Sequence, residues 1–483
     1  SHPRRPLLYL PGGRLARTMS RVETPSNEGS SPGREEEAVI TARWVLPIAS
    51  PPLEHGAVHL RGGRIVSVGP SRTIGSASPG ARVDLGDAVL IPGLVNVHTH
   101  LELTALRGGF EELDFFTWIR RLADTKERRL DVADYRASAR WGAIEAIRSG
   151  ITTVGDASDR GVVLDALLES GLRGIAYQEV FGPDERRVSE SLAALEALLD
   201  AQESRASSRV RLGVSPHAPY TVSAPLFKEV SRLALDRRLP VSIHAAESRA
   251  ESALLREGTG PFADFLRDRG MDWKAPRAST VRYLSDIGAL ETKPLLVHAV
   301  QVDSGDVREL RDAGAAVAHC PKSNAKLAHG VAPLVEILES GVRTGLGTDG
   351  VVSNNACDLL EEARCAVLFQ RARPGVDRRR LDPLDARAAL RLATLGGAEA
   401  LGLDREIGSL EGGKLADLTA IRLSSPHVEP VHDPEVAVVF SASGRDVIFT
   451  MVGGRVLWRD GRLLTLDEAA LLEDVRQTAR KLF

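Results

Sequence analysis

Two histidines separated by one residue, His98 and His100, end the apolar run Leu94-Val95-Asn96-Val97. On an extended strand, residues i and i+2 face the same side, so two imidazoles with this spacing can share one cation at about 2.0–2.1 Å each. The plain alternative is a pair of separately hydrogen-bonded polar residues at a strand end. Other metal-competent residues recur in the same setting: His217 in Ser215-Pro216-His217-Ala218-Pro219, His244 after Val241-Ser242-Ile243, His298 after Leu295-Leu296-Val297, and Asp349 after Thr344-Gly345-Leu346-Gly347. Their repetition favours metal binding by His98, His100, His244 and Asp349. A metal with an open position activates water but does not itself carry a proton to a leaving group. Glu247, just beyond His244, is the candidate shuttle; its plain alternative is a Glu favoured by the dipole at a helix N-terminus. His298 is read as a polarising acid beside the water, because four ligands are already supplied. A fifth ligand or a buried neutral imidazole stays open for it.

These residues need a scaffold that gathers strand ends. Between about residues 93 and 404, short apolar runs alternate with Ala-, Leu-, Glu- and Arg-rich helical stretches. The runs are Leu94–Val97, Gly150–Val154, Gly174–Tyr177, Val210–Val214, Val241–Ile243, Leu295–Val297, Ala315–Ala318 and Thr344–Gly347. Strands apolar on both faces and alternating with helices predict a parallel sheet covered by helices, and eight such units fit a (β/α)8 TIM barrel within an α/β class. A doubly wound open sheet competes, but neither GxGxxG nor GxxxxGK[ST] follows any of the runs. Residues 36–92 alternate with period two, in Val39-Ile40-Thr41, Gly56–Leu60 and Arg64–Val68. The same texture returns over 405–465, in Ala416–Ile421, Val436–Phe440 and Val447–Val456, so both chain ends are expected to build one small β-sandwich. A closing helix is expected over 466–483, opened by a Thr465-to-Glu468 capping box, with Leu471, Val475, Ala479 and Leu482 on one face. Residues 1–35, rich in Arg, then in Ser, Gly, Pro and Glu, read as a disordered leader or an appended remnant, with Met19 a candidate start.

Taken in order, Pro92-Gly93-Leu94-Val95-Asn96-Val97-His98-Thr99-His100, Ser215-Pro216-His217-Ala218-Pro219-Tyr220, His244-Ala245-Ala246-Glu247, Val297-His298-Ala299, His319-Cys320-Pro321-Lys322-Ser323-Asn324 and Gly347-Thr348-Asp349-Gly350 resemble the amidohydrolase superfamily. They are most similar to its branch of S-adenosylhomocysteine, methylthioadenosine and aminodeoxyfutalosine deaminases and s-triazine hydrolases. The resemblance implies one divalent metal, zinc or alternatively iron, on His98, His100, His244 and Asp349. It also implies that Asp349 takes a proton from water, that Glu247 protonates a ring nitrogen and then helps expel ammonia, that His298 steadies the hydroxide, and that His217 touches substrate. His319 and Asn324 would line the same mouth. Binuclear relatives carry a carboxylated lysine on strand four; Val210–Ser215 contains none, so a single metal is implied.

The expected activity is therefore hydrolytic deamination of an aminopurine nucleoside or related amino-heterocycle, with aminodeoxyfutalosine of the menaquinone route as one candidate substrate. Glu102 and Arg107 could read ribose hydroxyls or a carboxylate, and Phe115 or Trp118 could stack on a base. Their plain alternatives are a structural pair of Arg107 with Glu111 and core packing of the two aromatics. A chlorotriazine or cyclic-amide hydrolase on the same metal, and a non-catalytic scaffold, are the competing readings. With 62 Lys plus Arg against 65 Asp plus Glu, the formal charge of -3 gives no basis for a nucleic-acid or anionic-membrane partner. Three cysteines make no disulfide framework, and the apolar Leu7–Leu10 is too short for a signal or membrane span. A cytoplasmic homodimer acting on a small molecule is expected.

Overall fold

The computed structural model describes residues 37–77, 80–271, 273–373 and 384–482, so the expected leader over 1–35 lies outside the described residues. The chain is mixed α/β. Its first strands are β1 (Glu37–Val45), β2 (Leu53–Arg61), β3 (Arg64–Pro70), β4 (Ala81–Asp84) and β5 (Ala88–Pro92). Then follow β6 (Leu94–Thr99), β7 (Ile151–Ser158), β8 (Arg173–Val180), β9 (Val210–Pro216), β10 (Ser242–Ala245), β11 (Leu295–His298), β12 (Ala316–His319) and β13 (Arg343–Leu346), separated by helices. The last are β14 (Leu418–Arg422), β15 (Val447–Val452), β16 (Arg455–Arg459) and β17 (Arg462–Leu463).

Each of the eight apolar runs is a strand, and they pair in parallel as two four-stranded sheets, β6-β7-β8-β9 and β10-β11-β12-β13. The strands are buried along nearly their whole length, which is why they read as unbroken apolar runs. Backbone contacts join the sheets at both edges. Val214 bridges Val241 and the His244 N–H donates to the His217 carbonyl over 2.8 Å; opposite, the Asp349 N–H donates to the His98 carbonyl over 3.0 Å. At this second seam Gly347 is required: a Cβ there would lie 3.0 Å from the His98 Cβ and 2.9 Å from the Cys320 Sγ. Val95, Ile175, Tyr177, Val297, Ala316 and Ala318, drawn from both sheets, share one buried cluster.

Both chain ends form a nine-stranded sheet, ordered β17-β16-β15-β14-β5-β1-β2-β3, with β4 beside β1. The join is β5 against β14, antiparallel from Pro92–Leu418 to Ala88–Arg422. One expected strand is corrected. Val436–Phe440 is helical, because Asp433 caps the Glu435 and Val436 N–H groups at 2.8 and 3.0 Å, Pro434 opens the turn, and the run continues over Ala437–Ser441. Its carbonyls reach Arg364, which donates to Val439 O over 3.0 Å, so tertiary contacts override the β-branched texture. The final helix, Glu468–Leu482, is capped by Asp467 (Ala470 N–H, 3.0 Å), not by Thr465, and it buries Leu471, Val475, Thr478 and Leu482, with Ala479 only half-buried. Thr478 and Lys481 anchor it to Asp134 at 2.9 and 2.7 Å. Among the described residues no helix is long and apolar enough to cross a membrane.

The sheets are tied together by a buried fork. Arg173 on β8 donates from Nε and Nη2 to the Asp417 carboxylate at 2.7 and 3.1 Å, and Asp417 also accepts from the Gly453 N–H at 2.7 Å. Removing one partner of a buried pair leaves an uncompensated charge and costs about 3–5 kcal/mol. Asp417→Ala is therefore expected to lower unfolding free energy by about that amount in denaturant titration; a loss under about 1 kcal/mol would show the fork to be dispensable.

Candidate metal centre and active site

β6 delivers His98 and His100 with ring centroids 4.8 Å apart. Asp349, just beyond β13, brings Oδ1 to 3.4 Å from His98 Nε2 and 3.5 Å from His100 Nε2. His244, ending β10, stacks against His100 at 5.4 Å and meets His98 edge-on at 4.8 Å. Hydrogen bonds orient the rings: His100 Nδ1 donates to Ala157 O over 2.7 Å and His244 Nδ1 to His217 O over 3.2 Å, which turns both Nε2 atoms toward the centre. His98 Nε2 is buried without a hydrogen-bond partner. Potential ligand atoms of His98, His100 and Asp349 lie within 4.8 Å of one another, as do those of His98, His244 and His298 and those of His100, Glu179 and His244.

Burial lowers the pKa of His98 to about 4 and those of His100 and His244 to about 3, so the imidazoles are neutral and their lone pairs free. Burial alone would raise the Asp349 carboxyl, but contacts with His98, then His100 and His298, hold it well below the usual range. Ser323 and Ser353 hydroxyls donate to its Oδ2 over 2.6 and 2.7 Å, and the Gly350 N–H to its Oδ1 over 2.7 Å. Neutral imidazoles facing a carboxylate, with an orphaned ring nitrogen among them, fit a divalent cation of borderline softness.

Glu247 reaches the same cavity from the loop after β10. Its Oε1 lies 3.6 Å from His298 Nε2 and 3.2 Å from His329 Nε2, and Tyr220 donates to its Oε2 over 3.3 Å. Burial would push this carboxyl up, but His298, His329 and His244 outweigh it and draw the pKa to about 2, so Glu247 is ionised. Asn324 Oδ1 accepts from His298 Nδ1 over 2.9 Å, which aims His298 Nε2 at Glu247. His217 lines the cavity with its ring 4.6 Å from that of His244. His319 does not hydrogen-bond into the mouth: both ring nitrogens are buried without partners, and burial lowers its pKa to about 3.

The cavity has a volume of about 480 Å³, suited to a small molecule. Phe115, Trp118, Phe181 and Tyr220 form its apolar walls, and Trp118 is at the same time buried in the main hydrophobic core. Glu102 stands behind the wall. It accepts from Ser158 Oγ and from the Asp159 N–H (3.1 Å), and burial and then Asp159 raise its pKa to about 8. Arg107 lies in a separate cleft, paired with Glu145 rather than Glu111 and donating to Asn355 O over 2.9 Å. Neither is brought to the cavity.

Several cavity residues were not singled out from sequence. Glu179 lines the cavity with Oε1 buried and unpartnered, and burial raises its pKa to about 8. It is the penultimate residue of β8, whose apolar run reads clearly only to Tyr177; extending the strand by its period would have exposed it. Lys126, 3.1 Å from Asp159, sits at helical spacing from Trp118 and Leu122 and was findable from that face. His329, in Leu327-Ala328-His329-Gly330, carries no local signal.

The family model described as the amidohydrolase family matches residues 89–457. A 5-methylthioadenosine/S-adenosylhomocysteine deaminase of Thermococcus kodakarensis is 38% identical over 408 residues, covering 83% of this chain and 89% of its own. Among solved structures, an adenosine deaminase from Xanthomonas campestris with bound zinc superposes with a TM-score of 0.81 at 30% identity, covering 93% of this chain and 99% of that one. Atrazine chlorohydrolase from Arthrobacter aurescens TC1, complexed with zinc, gives 0.78 at 25% identity, covering 92% and 100%.

Protons compete with a metal for imidazole lone pairs. Because the folded pKa values are lowered to about 3–4, that competition starts only well below neutrality. Metal content measured after equilibration at stepped pH should hold from pH 7 to about 5 and fall near about 4; release centred near 6.5, the ordinary imidazole value, would contradict the buried, neutral cluster.

Proposed function

The chain belongs to the amidohydrolase family, and on that premise we propose that it is a metal-dependent hydrolase of carbon–nitrogen bonds that deaminates an aminopurine nucleoside or related amino-heterocycle. The observation that carries this reading is Glu247: a buried carboxylate in the cavity wall, one short loop beyond His244 and held by His298, His329 and Tyr220. His98, His100, His244 and Asp349 would hold the cation, taken as zinc with iron as the alternative. Bound there, it supplies Lewis acidity that lowers the pKa of water from 15.7 toward about 7.

The chain's own groups then manage the protons. Asp349, whose Oδ2 is occupied by two serine hydroxyls, accepts the water proton at Oδ1. Glu247, ionised in the free site, takes up the other proton of the water and gives it to the ring nitrogen beside the amino-bearing carbon, making that carbon electrophilic. His298 Nε2 steadies the attacking oxygen. The carbon–oxygen bond forms, the proton held by Asp349 passes to the amino group, the carbon–nitrogen bond breaks as ammonia leaves, and an oxo-heterocycle remains. His217 touches the substrate, and Trp118 packs on it.

Methylthioadenosine- and S-adenosylhomocysteine-type nucleosides are supported by the named relatives, and adenosine by the solved neighbour. Aminodeoxyfutalosine stays in the same class, although Arg107, expected to read ribose hydroxyls or a carboxylate, is paired with Glu145 in a separate cleft. A chlorotriazine hydrolase on the same site would release chloride instead. The scaffold taken with this reading is one (β/α)8 barrel over 93–404, closed at both sheet seams, with a β-sandwich from 36–92 and 405–465 and a helix over 466–483. A cytoplasmic homodimer completes it.

The test is a panel of adenosine, methylthioadenosine, S-adenosylhomocysteine, aminodeoxyfutalosine, guanine and isoxanthopterin, read by ultraviolet absorbance and ammonia release. At least one should yield stoichiometric ammonia. Glu247→Gln should keep its metal while kcat falls by about 10²–10⁴. A metal-loaded Glu247→Gln enzyme with near-normal turnover would remove the shuttle.

A further inference from the structure

The helix Arg249–Glu257 starts at Ser248, whose side chain accepts from the Glu251 N–H over 3.2 Å. Ser-x-x-Glu is the signature of a capping box, in which the Glu side chain returns to the N–H of the capping serine. Here it does not. The Glu251 carboxylate passes Ser248 and takes the two N–H groups before it: Ala246 N–H to Oε1 over 2.9 Å and Glu247 N–H to Oε2 over 2.8 Å. Thr280 Oγ1 donates a third bond to Oε1 over 3.0 Å. Glu251 is wholly buried, and burial lifts its pKa to about 7.

The turn it grips is unusual. Ala246 has φ 53°, a left-handed conformation that disfavours residues with a Cβ. Its carbonyl accepts from Val300 and Gln301 N–H groups at 2.9 and 2.7 Å, and Ala299 donates to Ala245 O over 3.2 Å, so the loop bearing Glu247 is laced to the loop bearing His298. His298 and Ala299 are themselves left-handed, at φ 79° and 46°. An extended Ala246 would redirect the chain at Glu247, and the N–H groups exposed by this turn have Glu251 as their acceptor.

We propose that Glu251 is a positioning residue for the reaction: its carboxylate holds the left-handed turn at Ala246 that directs Glu247 into the cavity, and it affects the chemistry only through Glu247. The proposal rests on the reading of Glu247 as the proton carrier.

Glutamine keeps the shape of Glu251 but turns an amide NH2 toward one of the two backbone donors. In the full-length, metal-loaded enzyme, assayed on the best substrate of the panel, Glu251→Gln is expected to keep its metal content and its KM within about twofold while kcat falls about 10- to 100-fold. In the Glu247→Gln background the same change should alter the residual rate by less than about twofold, because the group it positions is gone. Equal fold losses in both backgrounds would overturn the proposal and leave Glu251 a purely structural residue. Near-normal turnover by Glu247→Gln alone would instead remove the proton-carrier reading, and this proposal with it. Hydrogen–deuterium exchange of residues 244–251 needs no substrate: it should quicken in Glu251→Gln, and unchanged exchange overturns the latch. Should Glu251→Gln fold poorly, Thr280→Val removes only the third bond, with an expected drop in kcat of about 2- to 5-fold that again vanishes in the Glu247→Gln background; a drop that persists there overturns the proposal.

Discussion

A buried carboxylate among buried imidazoles constrains everything else in this protein. Asp349 is nearly inaccessible and ionised, and His98, His100 and His244 are neutral because burial strips their charged forms of water. Three hydrogen bonds support the Asp349 carboxylate, and a divalent cation among the neutral imidazoles would offset the rest of its buried charge. The backbone accepts strain to keep the cluster together. Asp349 is left-handed at φ 58°, and its N–H closes the seam to His98. With Ala246, His298 and Ala299 it makes four non-glycine residues in a region that costs about 1–3 kcal/mol each. Left-handed residues of this kind persist only where surrounding bonds over-determine them, and here the bonds run between the two loops that carry Glu247 and His298.

Charge is then sorted by position within a few ångströms. Glu102 and Glu179 are pushed up to about 8 by burial, whereas Glu247 is drawn to about 2 by the imidazoles it faces, although burial acts on it too. Near neutral pH Glu247 and Asp349 are therefore ionised and able to receive protons, whereas Glu179 in the same cavity and Glu102 behind its wall hold theirs. That separation of roles is what acid–base chemistry on a ring nitrogen requires, and it follows from which side chains each carboxyl meets rather than from residue type. In the proposed reaction a Glu that begins ionised collects its proton during turnover and acts as a carrier rather than as a standing acid.

How much of this could be read beforehand depended on whether the signal was periodic. The eight parallel strands were legible because burial on both faces leaves unbroken apolar runs, and the His98–His100 pair because period two puts both rings on one side. That both chain ends share one sheet was legible as common texture in Val39–Thr41, Gly56–Leu60, Arg64–Val68, Ala416–Ile421 and Val447–Val456, although Ala88–Pro92, the strand that makes the join, was not singled out. Val436–Phe440 was misread because β-branched composition outweighs a cap in a short window, whereas Asp433 and Pro434 decide the outcome in the fold. Arg107 failed for a different reason: proximity in sequence to a metal ligand says nothing about which way a long side chain leaves a 3-10 turn, and Glu145 lay on the adjoining helix.

Glu251 marks the boundary most sharply. Its motif, Ser248-x-x-Glu251, is visible as a helix start, and the helix does start there. What no local pattern encodes is the reassignment of its carboxylate to Ala246 and Glu247, because that depends on the left-handed turn at Ala246, itself pinned by carbonyl bonds to Val300 and Gln301 from a different loop. Motif grammar assumes each capping group serves its own helix. Near a reacting centre the same residue can be diverted to hold a neighbour, and a capping signature directly after a catalytic motif is therefore a place where local rules and site geometry compete for one side chain. In this chain site geometry wins: the Glu251 carboxylate accepts from two backbone N–H groups of a buried loop, where a capping box would use one.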